Sequence, residues 1–277
     1  MKKLRNLLMM LVLTVICVFG TKYNVNAKET NVKPLKVNKT YYYNLDQKGE
    51  KEKIKVVQKE DDDLTEYITL YINNKVVISK IETGSVFVID SNKKDKQMEI
   101  ITAVDVDNSE LSQINYYRYS GGKLKKVQNL DSLIMKKHKS TYSMIHYFTE
   151  KTIFKLDSKG NFMYKMCLGL NSGIDAVHFK DALVLKKGKF VNSNKKNFAL
   201  MDEKWDYAAK GTNKVYKKPG SSKVVFTLKN KEKFYAKNIY IKSKKTFYLK
   251  IKSKKTGKTG YVKANKLKAY LNYCKHA

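Results

Sequence analysis

Arginine, proline and cysteine are scarce in this sequence, and each shortage narrows what the chain can do. Arg5 and Arg118 are the only arginines among 57 basic residues, so the forked guanidinium that reads base edges and clamps phosphate is almost missing. Pro34 and Pro219 are the only prolines, so glycine and asparagine must mark most of the turns. The three cysteines have no spacing typical of a metal site.

Acidic residues are nearly absent from the last part of the chain. Residues 204–277 contain 22 lysines, no arginine and two acids, Asp206 and Glu232, a net charge of +20 out of +32 for the whole chain. AT-rich coding would explain lysine in place of arginine, but it would not remove aspartate and glutamate from one region. The asymmetry therefore predicts an anionic partner for the C-terminal part.

Long hydrophobic runs are also missing. The longest apolar stretch, 7–19, is shorter than the roughly 20 residues that span a bilayer. Lys2 and Lys3 precede it, and a polar segment that ends at the small residue Ala27 follows. This order is typical of a secretory signal peptide, so we predict a leader over residues 1–27 and a secreted, extracellular protein that is not integral to the membrane.

Export and lysine content together define the expected partners. Lysine ammonium groups are point charges that suit diffuse polyanions. Outside a Gram-positive cell these are anionic cell-wall polymers such as teichoic acid, the carboxylates and peptides of peptidoglycan, and host glycans. Nucleic acid is disfavoured because the chain is predicted to be exported and has almost no arginine.

The cysteines leave one question open. Cys17 lies in the predicted leader, so Cys167 and Cys274 remain in the mature chain. An extracellular compartment permits a disulfide between them. They lie in different predicted domains, however, which favours two separate thiols.

Short runs of alternating apolar and polar residues dominate the rest of the chain, without a sustained 3.6-residue apolar pattern. The clearest runs are 52–57, 68–72, 85–89 and 152–156. Residue pairs typical of turns lie at 73–74, 121–122 and 159–160. We therefore predict an all-β fold with a linker at 28–39, a propeller-like or sandwich β-repeat domain at 40–203, and a small barrel at 204–277.

Residues 44–76 and 90–124 look like two copies of one unit. Each begins with an acidic loop, continues through a glutamate, Glu52 or Glu99, with an isoleucine one or two residues later, and ends in a strand–turn–strand pattern. The period of 46 to 48 residues suits a four-stranded propeller blade. The units resemble the FG-GAP/VCBS-type repeats of integrin-like β-propellers, and a third unit is expected around 152–167.

That resemblance implies calcium in the acidic loops, with carboxylate and amide oxygens as ligands. In the first loop Lys48 occupies a ligand position and opposes a cation. The second loop has Lys96 where the family has glycine, but it still offers four candidate ligands. These are Asp90, Asn92, Asp95 and Glu99. Turn formation is the favoured role of both loops, Ca2+ at the second loop is the alternative, and no other cofactor is expected.

The C-terminal region carries a second resemblance. The loop 216–220 reads Tyr-Lys-Lys-Pro-Gly, and the segment 260–262 reads Gly-Tyr-Val. Both resemble bacterial SH3-type (SH3b-like) domains over about residues 208–268, although Lys231 stands where that family has glycine. Such domains attach secreted proteins to the cell wall or recognise short peptides.

The SH3b-like resemblance implies a ligand groove lined by tyrosine and rimmed by lysine. The tyrosines are Tyr216, Tyr240, Tyr248 and Tyr261, and the lysines are Lys217, Lys218 and Lys250. Aromatic faces with polar tips suit contact with peptides and sugars. The alternative is that at least half of these tyrosines are core residues or cross-strand pairs.

The sequence shows no catalytic motif, and we predict no catalytic residue. The four histidines are scattered, and His178 near Asp175 and Asp181 is the one suggestive cluster, without a nucleophile motif. We therefore expect a secreted, wall-associated binding protein rather than an enzyme. Two alternatives stay open: a wall- or glycan-active enzyme with its site within 131–197, and a calcium-dependent adhesive propeller.

Overall fold

The computed structural model describes the chain from residue 30 to residue 271 with internal gaps. The residues outside the description are 1–29, 61, 63, 83, 107–109, 139–153, 171–173, 175, 202–205, 244–245 and 272–277. The described part is almost wholly antiparallel β-sheet, which confirms the predicted all-β class.

Three successive four-stranded meanders make up most of the described chain. The first meander consists of β2 (Thr40–Tyr43), β3 (Glu52–Glu60), β4 (Glu66–Ile72) and β5 (Lys75–Glu82). The second consists of β6 (Gly84–Ile89), β7 (Glu99–Val106), β8 (Glu110–Ser120) and β9 (Lys123–Asn129). The third consists of β10 (Phe154–Leu156), β11 (Phe162–Gly169), β12 (Ala176–Lys186) and β13 (Lys189–Asn192). Within each meander the strands pair in sequence order, which is the arrangement of a propeller blade.

The N-terminal segment adds an edge strand to the third meander. β1 (Thr30–Val32) pairs antiparallel with β10, with Thr30 opposite Leu156. Leu35 is buried, and its backbone N–H donates a hydrogen bond to the carbonyl of Val86 at 2.8 Å. The described part of segment 28–39, which we expected to be a linker, is therefore part of the fold.

The same tight turn joins the last two strands of every meander. Its central residues are Asn73-Asn74, Gly121-Gly122 and Lys187-Gly188, all with positive φ. Two successive residues of positive φ define the type I′ turn, whose twist matches a β-hairpin. The third meander, which the sequence pattern only suggested, is thus a structural copy of the other two.

One α-helix lies within the described residues, and the sequence analysis missed it. α1 (Leu130–His138) places Leu130, Ile134 and His138 on its buried face. Asn129 caps its start, because the side-chain oxygen of Asn129 accepts a hydrogen bond from the backbone N–H of Ser132 at 2.8 Å. No described helix has the length and apolar character that crossing a membrane requires.

An eight-stranded antiparallel sheet, the C-terminal sheet, completes the fold and curls into a half-barrel. Its strands are β14 (Asn197–Ala199), β15 (Asp206–Ala209), β16 (Asn213–Tyr216), β17 (Val224–Leu228), β18 (Lys233–Ser243), β19 (Thr246–Ser253), β20 (Thr259–Lys263) and β21 (Ala269–Leu271). A 3₁₀ turn at Ala264–Lys266 precedes β21. The strand order is β17-β16-β20-β19-β18-β15-β21, and β14 also pairs with β18.

The C-terminal sheet shares its core with the third meander. One cluster of buried side chains runs from Phe87 and Phe179 through Phe198 to Phe234. A second cluster joins the first meander to part of the second. β14 lies before the expected domain boundary at 203–204, yet it pairs with β18. Among the described residues, the buried hydrophobic cluster of the C-terminal sheet is therefore continuous with that of the third meander.

Candidate functional site

Five of the seven residues predicted to form a groove lie on one face of the C-terminal sheet. Tyr216 pairs with Tyr261, which also pairs with Lys250. Tyr240 pairs with Tyr248, two residues before Lys250 on the same strand. Directly opposed residues of an antiparallel pair point to the same side, as do alternate residues along a strand. These five residues therefore form one surface across β16, β20, β19 and β18, which we call the tyrosine face.

The opposite face of the same strands is core. Leu249, Ile251 and Val262 are at most 3% exposed, so the alternation of side chains directs the tyrosine face outward. Its tyrosines are half-buried, and the rings of Tyr240 and Tyr248 lie 6.5 Å apart with an interplanar angle of 61°. They form cross-strand pairs, as the alternative interpretation held, and they also remain partly open to solvent.

The loop that follows β16 borders the tyrosine face. A Cβ on Gly220 in this loop would lie 3.7 Å from the hydroxyl of Tyr248 and 3.7 Å from Nζ of Lys242. Lys217 and Lys218, the two lysines predicted at the rim, are exposed in the same loop. The backbone of this loop at Gly220 therefore lies close to Tyr248 and to the ammonium group of Lys242.

Two further lysines belong to this surface, and the sequence analysis did not single them out. Lys263 on β20 lies opposite Tyr248, and Lys242 on β18 lies near Gly220. Strand register alone reveals the position of Lys263, since a hairpin separates it from Tyr248 in the sequence. Lysine and tyrosine thus alternate along β19 and β20 and lie opposite each other between these two strands.

Both acids of the C-terminal region are used inside that region. Asp206 accepts a hydrogen bond from Nζ of Lys254 at 2.7 Å. Glu232 accepts one from the backbone N–H of Lys229 at 3.1 Å and one from the hydroxyl of Ser253 at 2.8 Å. Neither acid lies opposite a residue of the tyrosine face in the strand register. The positive charge around that face is therefore not balanced by a carboxylate of its own region.

The acidic loop of the second meander, for which calcium binding was the alternative to turn formation, is organised around an arginine. Glu99 is fully buried, and its Oε1 accepts a hydrogen bond from Nη2 of Arg118 at 2.9 Å. Its Oε2 accepts hydrogen bonds from the backbone N–H and the hydroxyl of Ser91, at 3.1 and 2.7 Å. In the first meander Glu52 similarly accepts a hydrogen bond from the backbone N–H of Leu45 at 2.7 Å. Each glutamate closes its own loop, and at Glu99 a guanidinium supplies the positive charge.

The other three predicted calcium ligands do not converge on one point with Glu99. The amide of Asn92 donates to the carboxylate of Asp95, which also accepts a hydrogen bond from the backbone N–H of Gln97 at 3.1 Å. Burial raises the pKa of Asp90, against a smaller opposing effect of Lys93. The described residues contain no group of three or more His, Cys, Asp or Glu side chains placed to hold a metal ion. These hydrogen bonds support the turn-forming role.

A buried polar cluster that the sequence analysis missed joins α1 to the third meander. Asp181 on β12 accepts hydrogen bonds from Nζ of Lys137 at 2.5 Å and from Nε2 of His138 at 2.9 Å. The hydroxyls of Tyr164 and Ser193 donate to the same carboxylate at 2.9 and 2.8 Å. Burial raises the pKa of Asp181, but the hydrogen bonds from His138 and Lys137 outweigh it and lower the pKa to about 2. The carboxylate is therefore ionised and well paired at neutral pH.

This cluster changes the expected partner of Asp181. Proximity in the sequence pointed to His178, whereas the structure pairs Asp181 with His138. His138 is 5% exposed and Asp181 is 2% exposed, so the pair is not open to a substrate. Its role in this structure is to anchor the end of α1 on the third meander.

Besides the residues of the predicted leader, two residues and one side chain named in the sequence analysis lie outside the description. Asp175 and Cys274 are not described, nor is the side chain of Cys167. The state of the two cysteines therefore stays a prediction, as does any contact between Asp175 and His178.

Comparison of the chain with models of protein families, with curated proteins and with solved structures finds no match. No relative therefore assigns a role to any of these residues. Function has to be inferred from the tyrosine face, its charge and the loop beside it.

Proposed function

We propose that the chain is a secreted binding protein of a Gram-positive bacterium that attaches to the cell wall through its C-terminal sheet. The ligand is an anionic wall polymer, which contacts the tyrosine face and the lysines around it. One observation carries the proposal. Asp206 and Glu232 are engaged by neighbours within the C-terminal region, while the lysines around the tyrosine face form no ion pair with a described residue.

The arrangement of charge and aromatic rings favours a repeating polyanion. Lys250 lies opposite Tyr261, and Lys263 lies opposite Tyr248. Alternate side chains on a strand are about 7 Å apart, a spacing on the scale of the repeat in a polyol phosphate chain. Lysine ammonium groups bind such anions in many geometries, and half-buried tyrosine rings offer a flat surface to the carbon backbone of the polymer.

The sequence supports the location and the wall as the target. Residues 1–27 have the order of a secretory leader. The loop 216–220 and the segment 260–262, which carry the SH3b-like resemblance, lie at the end of β16 and within β20, two strands of the tyrosine face. The leader supports an extracellular location, and the SH3b-like resemblance favours a wall ligand over a host glycan.

Neither alternative function gains support from the described residues. The enclosed His138–Asp181 pair does not offer a catalytic surface. In the acidic loop of the second meander, the Glu99 carboxylate already binds Arg118, so a metal ion would have to compete with the guanidinium for it. Binding without turnover is therefore the proposal.

The test uses residues 28–277, because the C-terminal sheet shares its core with the third meander. This protein is sedimented with purified Gram-positive cell walls, with and without teichoic acid, across a salt series. We expect binding to require teichoic acid and to fall steeply with salt, because exposed charges are screened beyond about 10 Å at 0.1 M salt.

Charge reversal on the tyrosine face should abolish this binding. The test variant is Lys250→Glu with Lys263→Glu, and the control is Lys123→Glu with Lys126→Glu, two exposed lysines on β9. Both variants change the net charge equally. Equal losses in the two variants would contradict a defined binding face. Salt-resistant binding to walls stripped of teichoic acid would assign the tyrosine face to a peptidoglycan peptide instead.

A further inference from the structure

A cavity of about 390 Å³ opens on the first meander, on a different sheet from the tyrosine face. It is lined by Lys53, Lys55 and Val57 of β3, by Tyr71 of β4 and by Asn74 of the turn that follows. The lining thus combines two ammonium groups with an aromatic ring and a side-chain amide.

The strand register explains why both lysines face the cavity. Ile54 and Val56 are at most 1% exposed, so Lys53 and Lys55, which alternate with them on β3, point to the solvent side. Lys55 lies directly opposite Tyr71 on β4. The core residues of β3 therefore fix the direction of the two ammonium groups.

The type I′ turn after β4 forms one wall of the cavity. The side-chain oxygen of Asn73 accepts a hydrogen bond from the backbone N–H of Lys53 at 2.8 Å, which holds the turn against β3. Asn74 is thereby placed on the cavity wall. On the other side of β3, Tyr42 lies opposite Lys53 and is 59% exposed, so a second aromatic ring extends the surface.

The cavity collects positive charge without an acid to balance it. Among the described residues, its lining includes two lysines and no carboxylate. Neither Lys53 nor Lys55 forms an ion pair with a residue that the structure describes. Two like charges on one strand repel each other, and partial burial of Lys53 adds a desolvation cost. A bound anion would reduce both costs.

We propose that this cavity is a phosphate-binding site for a polyol or sugar phosphate polymer. The ammonium groups of Lys53 and Lys55 contact phosphate oxygens. The amide of Asn74 and the hydroxyl of Tyr71 donate further hydrogen bonds, and the ring of Tyr71 packs against the carbon backbone. Phosphate suits this set better than one carboxylate, because it offers more acceptor oxygens to four donors. The class of polymer rests on the proposed function, but the cavity shares no residue with the tyrosine face.

Two phosphate-binding surfaces on one chain act together on a long polymer. Once one surface holds the polymer, binding at the other becomes intramolecular and occurs at a high effective concentration. Loss of the cavity should therefore weaken binding to the polymer by about tenfold or more. Binding of free phosphate in the cavity does not depend on the tyrosine face.

The first experiment measures phosphate binding at the cavity independently of the tyrosine face. Residues 28–277 labelled with ¹⁵N are titrated with sodium phosphate, and the amide NMR shifts are compared with those in sodium chloride of equal ionic strength. We expect saturable shifts at 53–57 and 71–74 in phosphate only. Lys53→Gln with Lys55→Gln should remove them, and Lys123→Gln with Lys126→Gln should keep them. Equal shifts in chloride, or no loss in the first variant, would overturn the site.

The second experiment distinguishes a phosphate polymer from free phosphate as the ligand of the cavity. In sedimentation with walls that carry teichoic acid, Lys53→Gln with Lys55→Gln should bind about tenfold more weakly than the wild type. If the wild type shows the phosphate shifts but this variant binds walls as tightly as the wild type, the polymer is not the ligand of the cavity and free phosphate is. Lys250→Glu with Lys263→Glu should keep the phosphate shifts at 53–57. Phosphate shifts in a wild-type protein that binds no walls would overturn the proposed function and not the cavity.

Discussion

Gly160 of the third meander packs directly on Ser91 of the second. A Cβ on Gly160 would stand 2.0 Å from the carbonyl oxygen of Ser91, and Gly160 is buried with a φ of +77°. Ser91 in turn donates two hydrogen bonds to Glu99, which pairs with Arg118. The acidic loop of the second meander is therefore also a packing surface between two meanders.

Gly160→Ala should lower the free energy of unfolding by about 3 kcal/mol or more, because the clash with Ser91 adds to the cost of a left-handed backbone. Gly121→Ala is the matched control. Its φ is +58°, and a Cβ there would meet nothing within 4 Å, so the expected loss is about 1 kcal/mol. Urea unfolding followed by circular dichroism measures both. Similar losses of stability in the two variants would show that the loops of Gly160 and Ser91 can move apart at little cost.

The cluster around Asp181 should dominate the stability of the junction between α1 and the third meander. Asp181→Asn leaves the ammonium group of Lys137 without its carboxylate partner, so the free energy of unfolding at pH 7 should fall by about 3–5 kcal/mol. Ser193→Ala removes one hydroxyl from the same cluster and should cost about 1 kcal/mol. Urea titrations at pH 7 give both values, and equal losses would contradict a dominant ionic contribution.

Asp181 should also make the fold sensitive to acid. Its pKa is about 2 in the folded chain, against an ordinary value of 3.8. The lowered pKa stabilises the fold fully above about pH 4, and about 2 kcal/mol of stability is lost as the pH falls towards 2. Urea unfolding between pH 2 and pH 5 should show this loss in the wild type and a smaller one in Asp181→Asn. The same loss of stability with falling pH in both proteins would contradict the assignment of this effect to Asp181.

Asp131 should produce the opposite dependence on pH. Its Oδ2 accepts a hydrogen bond from the backbone N–H of Ile114 at 2.6 Å, its Oδ1 is buried without a described partner, and burial raises its pKa to about 6. The native state keeps a proton that the unfolded chain releases near pH 4, so stability falls by about 2–3 kcal/mol between about pH 4 and pH 6.

Asp131→Asn keeps an acceptor for Ile114 and should remove this loss of stability. The free energy of unfolding, measured in urea at pH 4, 5, 6 and 7, should therefore depend less on pH in this variant. The control is Asp62→Asn, since Asp62 is exposed and should leave the wild-type profile unchanged. A wild-type profile in Asp131→Asn would rule out Asp131 as the titrating group.

Lys231 offers a stabilising substitution. It stands where the SH3b-like pattern has glycine, and its φ is +62°, the left-handed conformation that glycine adopts without strain. Lys231→Gly should raise the free energy of unfolding by about 1 kcal/mol. Lys229→Gly in the same turn is the control, because Lys229 is not among the residues with positive φ and should lose stability on the same change. Thermal unfolding of the two variants compares them, and a loss in both would contradict the argument.

Local patterns were sufficient to predict the all-β class, several of the strands and the two copies that became the first two meanders. Glu52 and Glu99 each stand at the start of a strand and precede an isoleucine, so neighbouring residues alone reveal the two copies. The third meander was harder to recognise because its second strand begins at Phe162 without a glutamate. The turn that identifies it uses Lys187, a residue type that does not mark turns by itself.

Contacts between distant segments could not be predicted from the sequence. α1 was missed because only two of its three buried residues, Leu130 and Ile134, are apolar. The third is His138, so the sequence shows no sustained helical pattern of apolar residues. Asp181, the partner of His138, lies on a strand much further along the chain, and no spacing rule connects the two. The tyrosine face was expected only through a family resemblance, and nothing local distinguishes Lys263 from the other lysines.

β1 precedes the other described strands in the chain and is paired late. Its partner β10 begins at Phe154, so β1 cannot join the third meander until the first two meanders have been synthesised. Pairing across such a distance slows folding, because the intervening loop must be closed before the contact contributes. β1 also follows the predicted leader directly, so export through that leader would deliver this strand well before its partner.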